Sequence, residues 1–157
     1  MQRVRRPQDA EGVSFVVRRA TLEEILALRH AVLRPGLPRE AARFAGDEAA
    51  DTIHVGAFLP SGEVVGCASV MATVLEQRPS WRLRGMATCA ELRRCGIGRR
   101  VLALAEAAVC AGPQAPLLWC EARVEAVGFY RRCGWAIVSG VFEVAGVGPH
   151  HRMIKRW

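Results

Sequence analysis

Arg93-Arg94-Cys95-Gly96-Ile97-Gly98-Arg99 lies between a strand-like run ending near Thr88 and a helix-like run beginning near Gly98. The stretch reads as an anion cradle. Two glycines let the backbone approach a ligand closely, and the following helix offers unpaired N–H groups at the positive end of its dipole. The arginines concentrate charge at the same place.

R-x-x-G-x-G alone also fits a tight turn, so rival phosphate loops have to be tested on the same residues. A dinucleotide fingerprint needs a third glycine at 101, where the chain has Val101. A Walker loop needs Gly-Lys-Ser/Thr, and the only lysine is Lys155. Both rivals fail.

At 157 residues the chain is long enough to bury a core without staples, and one domain over residues 14–157 is expected behind a flexible tail at 1–13. No apolar run approaches the roughly 20 residues of a membrane span, and Met1 to Pro7 has no apolar signal core behind it, so a cytoplasmic location is expected. None of the six cysteines falls in a C-x-x-C pair, which favours reduced, mostly buried thiols. Cys95 lies beside two arginines and a helix start, and reads either as a reactive thiol or as a spacer whose backbone alone matters. The formal charge of +7 invites a nucleic-acid reading, but the basic residues are spread along the chain without a recognition motif, so no nucleic-acid partner is expected.

Hydrophobic spacing predicts a first strand at Phe15 to Arg19. A helix follows from the capping box of Thr21 and Glu24 to about Leu33, ended by Pro35-Gly36. Ile53 to Phe58 and Val64 to Met71 read as a hairpin, and Trp81 to Thr88 as a fourth strand. Ile97, Val101, Leu104, Ala105, Ala108 and Val109 give the next helix its apolar stripe. Pro113 and Pro116 bracket a turn into a strand at Leu117 to Cys120. A short helix over Glu125 to Cys133 stops at Gly134, and strands at Trp135 to Val144 and His150 to Trp157 finish the chain. This alternation predicts a mixed sheet with helices on both faces, α/β or α+β by definition.

Strand, R-x-x-G-x-G, helix, strand and then Ala126-Val127-Gly128-Phe129-Tyr130-Arg131-Arg132-Cys133-Gly134-Trp135, in that order over residues 80 to 136, resembles the GNAT superfamily of acyl-CoA-dependent N-acyltransferases. The resemblance implies a mostly antiparallel sheet whose central parallel strands splay to admit the cofactor's pantetheine arm. It implies acetyl-CoA as co-substrate, with Arg93, Arg94, Cys95, Gly96, Ile97, Gly98 and Arg99 at the pyrophosphate. Met86, Ala87 and Thr88 match the strand whose backbone pairs with the pantetheine amides. Tyr130, the only tyrosine, matches the general acid that protonates the departing thiolate.

An alkylammonium of pKa about 10.4 must lose a proton before it attacks. Glu121, ending a strand beside the expected cleft, is the first candidate base; some similar acetyltransferases carry a Glu there, and burial would raise its pKa. His150 and His151 are the second, and being adjacent in a strand they point to opposite faces. Arg123 stands seven residues before the tyrosine, where many members carry a cofactor-contacting Asn, and Ala90 replaces a usual Pro. No metal site is expected. The segments Arg29 to Asp51 and Phe142 to His151 are expected to frame the pocket for an amine on a small molecule or peptide. A homodimer is an assembly the resemblance allows. The alternative to a direct-attack N-acetyltransferase is an inactive acyl-CoA-binding sensor or interaction module.

Overall fold

Val16–Ala20 forms β1 and Leu22–Leu33 forms α1 in the computed structural model, which describes residues 12–112 and 116–157. All but the last two residues of the expected tail, and Pro113, lie outside the described residues. The capping box closes as read: the Glu24 N–H donates to Thr21 Oγ1 at 3.2 Å, and the Thr21 N–H donates to Glu24 Oε2 at 2.8 Å. β2 (Ile53–Phe58) and β3 (Val64–Leu75) make the expected hairpin, and β4 is Arg78–Thr88.

β3 and β4 run further than their hydrophobicity suggests and meet in a tight hairpin at Glu76-Gln77. Both turn residues have positive φ, 49° and 65°. Such a turn normally announces itself with Asn or Gly. Here it does not, so the sequence left it unread.

α2 (Ile97–Cys110) follows the glycine loop, β5 is Leu118–Arg123 and α3 is Val127–Arg132. The last expected pair becomes three strands, β6 (Trp135–Ile137), β7 (Phe142–Val144) and β8 (Gly148–Lys155). β6 and β7 pair with opposite ends of β8 and are separated by Ser139-Gly140, where the Ser139 hydroxyl accepts the Arg152 N–H at 2.7 Å.

The sheet order is β1-β2-β3-β4-β5-β8-β6, with β7 also on β8. Among the described residues only β4 and β5 pair in parallel. Their pairing stops after Trp81–Leu118 and Arg82–Trp119, yet β4 continues to Thr88 and β5 to Arg123. The two strands therefore diverge, and the edge of β4 beyond Arg82 lacks a strand partner on that side.

Helices cover both faces. Ile97, Val101, Leu102, Ala105 and Val109 of α2 pack with Ala68, Val70 and Leu83 and with Val127 and Tyr130 of α3. Each of the isoleucine, leucine and valine side chains taken from water contributes about 1.5–3 kcal/mol. Ile25 and Leu28 of α1 pack on Cys67 and Ala87, on the opposite side. Gly66 marks how closely α2 approaches: a Cβ there would lie 2.6 Å from Ile97 Cγ2. Two cysteines, Cys67 and Cys120, are buried; Cys89, Cys95 and Cys133 are half-buried and Cys110 is exposed, fewer in the core than composition suggested.

Candidate active site

α2 starts without a side-chain cap. Gly96 precedes it at φ 80° and Arg94 two residues earlier at φ 64°, so the chain turns sharply and leaves the first helical N–H groups without intrahelical acceptors. These groups border a cavity of about 640 Å³ lined by Thr88, Arg93, Arg94, Gly96, Gly98 and Arg99. Gly98 lets α2 press on its neighbours, since a Cβ there would lie 3.3 Å from Thr88 Oγ1 and 3.5 Å from the Phe129 ring. Gly96 has open space where a Cβ would project. An uncapped helix N-terminus ringed by arginines, with a side-chain-free approach, fits a pyrophosphate.

Met86, Ala87, Thr88 and Ile97 line the same cavity. Cys95 does not: its thiol turns back toward the Arg93 carbonyl at 3.7 Å.

Tyr130 sits at the point of the splay. Its ring is packed between Phe129 and Trp135, with centroids 5.2 and 5.4 Å away. Among the described residues nothing hydrogen-bonds its hydroxyl. Burial, with smaller effects from Cys120 and Cys133, holds the phenol well above its ordinary pKa of 10.0. It therefore keeps its proton across the neutral range. Trp135 is fixed in turn by its indole N–H donating to Glu106 Oε1 at 2.9 Å.

A second cavity, of about 180 Å³, lies on the other side of the splay. Met86, Ala126, Arg123, Leu33 and Tyr130 line both cavities, so the two meet at the tyrosine. Glu121 lines this second space. It does not end its strand as expected, because β5 continues to Arg123 and registers against β8 with Glu121 opposite Arg152. Nor does it sit in an apolar setting. Its Oε2 accepts from Arg82 Nη2 at 3.0 Å and its Oε1 from Arg152 Nη2 at 3.5 Å. Both guanidiniums also stack on Trp119, 4.9 and 5.0 Å from its centroid.

His150 also lines the second cavity and is buried. β8 runs between β5 and the β6/β7 edge, so His150 and His151 are interior-strand residues rather than edge residues. His150 Nδ1 contacts the Gly148 carbonyl at 2.8 Å, and its ring stacks on Phe142. His151 Nδ1 is turned to the Ser139 carbonyl at 3.1 Å. Arg123 donates to the Leu33 carbonyl at 3.4 Å, at the end of α1.

Of the charged residues in the segment Arg29 to Asp51, only Arg34 lines the second cavity. Arg43 instead pairs with Glu23, Glu40 and Glu48. Asp47 is buried beneath the site: its Oδ2 accepts from Arg29 Nη1 at 2.6 Å, Arg29 Nη2 donates to Ser69 Oγ at 2.7 Å, and Ser69 Oγ lies 2.6 Å from His54 Nδ1. This network backs a bulge in β4, where Cys67 and Ser69 oppose Ala87 and Arg84 and Gly85 takes φ 63°. Arg82 and Arg84 were not read as pocket residues. Their alternation around buried Leu83, which puts both on one face of β4, was the available signal.

A sheet opened between two parallel strands, with an uncapped helix N-terminus on one side and a second pocket across a buried tyrosine, is the arrangement of a GNAT-type acyltransferase fold. Residues 50–137 match the model for the acetyltransferase (GNAT) domain, and the chain belongs to that family. It is 32% identical over 143 residues to the uncharacterized N-acetyltransferase YitI of Bacillus subtilis, covering 88% of this chain and 94% of that protein. The crystal structure of Escherichia coli ElaA shares the fold at a TM-score of 0.73 and 18% identity, over 92% of this chain and all of that one. An aminoglycoside 6'-N-acetyltransferase complexed with coenzyme A superposes at 0.68 with 16% identity, over 89% of this chain and 96% of that one. No helix among the described residues is long and apolar enough to cross a membrane.

Proposed function

We propose that this acyltransferase transfers an acetyl group from acetyl-CoA to a primary amine by direct attack, without an acyl-enzyme. The observation that carries the reading is the meeting of the two cavities at Met86 and Tyr130. Two reactants bound in separate spaces then meet along this shared lining, which also includes Leu33, Arg123 and Ala126. Bound acetyl-CoA supplies the acetyl group as an activated thioester.

The uncapped turn from Arg93 to Arg99 holds the pyrophosphate through backbone N–H groups, with Arg93, Arg94 and Arg99 adding charge. The unpaired edge of β4 at Met86, Ala87 and Thr88 takes the pantetheine amides and offers a donor to the thioester oxygen. Arg123, reaching both cavities, steadies the cofactor near the junction. Tyr130, protonated at neutral pH, gives its proton to the departing sulfur.

Glu121 accepts the amine's proton, directly or through one water. Arg82 and Arg152 hold its carboxylate facing the second cavity and so fix the direction of the transfer. Thiol release from acetyl-CoA, followed across a panel of amines, tests the reading: amine-dependent release supports it. Cofactor binding with no release for any amine would favour a sensor.

A further inference from the structure

The second cavity carries more positive charge than its acidic lining balances, and the transfer chemistry gives no role to Arg34 or Arg84. Arg34, Arg82, Arg84 and Arg123 line it against one lining carboxylate, Glu121, which already pairs with Arg82 and Arg152. Arg34, Arg84 and Arg123 have no carboxylate partner among the described residues. Arg34 donates to the Leu33 carbonyl at 2.8 Å, Arg84 to the Ala45 carbonyl at 3.4 Å and Arg123 to the Leu33 carbonyl at 3.4 Å. Those contacts orient the guanidiniums and leave their charge unbalanced.

Phe44 gathers two of them. The Arg34 and Arg84 guanidinium carbons lie 5.1 and 4.7 Å from the centroid of its ring. Arg29 reaches the same ring at 4.5 Å, but Asp47 neutralises it. Burial lowers the pKa of both Arg34 and Arg84; Arg123 and Arg29 lower that of Arg34 further, while for Arg84 the lowering by Arg82 and Arg29 is opposed in part by Asp47 and Glu121. Like charges held together and part-buried are costly unless an anion joins them. The cofactor's phosphates have their own loop in the other cavity, which Arg34, Arg82 and Arg84 do not line.

We propose that the amine acceptor is itself anionic, a primary amine carrying a carboxylate or phosphate that Arg34 and Arg84 hold while the amine reaches Glu121 and Tyr130. This rests on the acetyltransferase reading above and names its acceptor class. Guanidiniums suit either anion, because both present paired oxygens to the planar fork. The same cluster repels polyamines and lysine-rich peptides.

The first test is calorimetric titration of succinate and of inorganic phosphate into protein saturated with coenzyme A, so that the glycine loop is occupied. Binding of at least one is expected, and whichever binds identifies the anion. Arg34→Gln and Arg84→Gln should each weaken it about tenfold or more, and Arg84→Lys should restore part of it. For every amine that turns over, kcat/KM is compared with that of its carboxamide or dephosphorylated counterpart, and the anionic member should win by about 10- to 100-fold. Absence of anion binding, or equal efficiencies within a pair, overturns the proposal. If coenzyme A itself does not bind, the acetyltransferase reading falls. The same titrations on Gly96→Glu, whose loop is blocked, then decide the anion site alone.

Discussion

Arg29 and Asp47 form an ion pair of 2.6 Å in which both side chains are all but sealed from solvent, directly behind the bulge that shapes the floor of the candidate site. A Cβ on Gly85 would lie 2.7 Å from Arg29 Nε, so the backbone of β4 rests on the guanidinium. Removing one partner of such a pair leaves a buried charge. Asp47→Asn should therefore cost about 3–5 kcal/mol, read by urea denaturation, and Arg29→Met combined with Asp47→Leu should cost less than either single change. A double variant worse than both would mean that the pair is valued for its own attraction.

Gly96→Glu tests the loop. The position has room for a side chain, so the protein should lose only the roughly 1–2 kcal/mol of holding a non-glycine residue at positive φ. Affinity for coenzyme A should fall by about 100-fold or more, because an acid then faces the phosphates. Retained affinity would place the phosphates elsewhere.

Tyr130→Phe should lower kcat by about 10²-fold or more with the coenzyme A dissociation constant unchanged. It should also change stability on the alkaline side. The folded phenol has a raised pKa, so its contribution is intact below about pH 10 and is lost as pH climbs from there toward the folded value. Thermal melts across pH 9–11 should show a steeper loss for the native chain than for the variant.

Glu24 gives the opposite sign. Its hydrogen bond with Arg18 and then its bonds at the cap hold its pKa at about 2, against 4.5 ordinarily. The stabilisation is present above pH 4.5 and disappears as pH falls toward 2. Glu24→Gln should flatten the melting temperature across that window. An unchanged acid profile would assign the acid loss to other carboxylates.

Much of this was legible because local chemistry and tertiary role coincided. The glycines at 96 and 98, the capping box at Thr21 and the stop at Gly134 each announce a backbone need in residue type. The Glu76-Gln77 turn does not, and two strands were read short as a result. Leu102 faces the core beside Val101 yet fell outside the expected stripe, because β-sheet, α1-distal core and α3 wrap α2 on a broad front.

The acceptor side was harder for a different reason. Arg34, Arg82, Arg84, Glu121 and His150 come from four separated segments, and beyond the alternation of Arg82 and Arg84 around Leu83 nothing local shows that the arginines converge on one pocket. Asp47 illustrates the reverse error. In sequence it belongs to an exposed charged loop, whereas Arg29, reaching across from α1, draws it inside.

The account stands most directly on calorimetric titration of the protein with acetyl-CoA, run beside dephospho-CoA. One-to-one binding in the micromolar range, abolished by Gly96→Glu and preserved by Tyr130→Phe, is the predicted result. No heat of binding to acetyl-CoA from folded protein would contradict the assignment of the cleft.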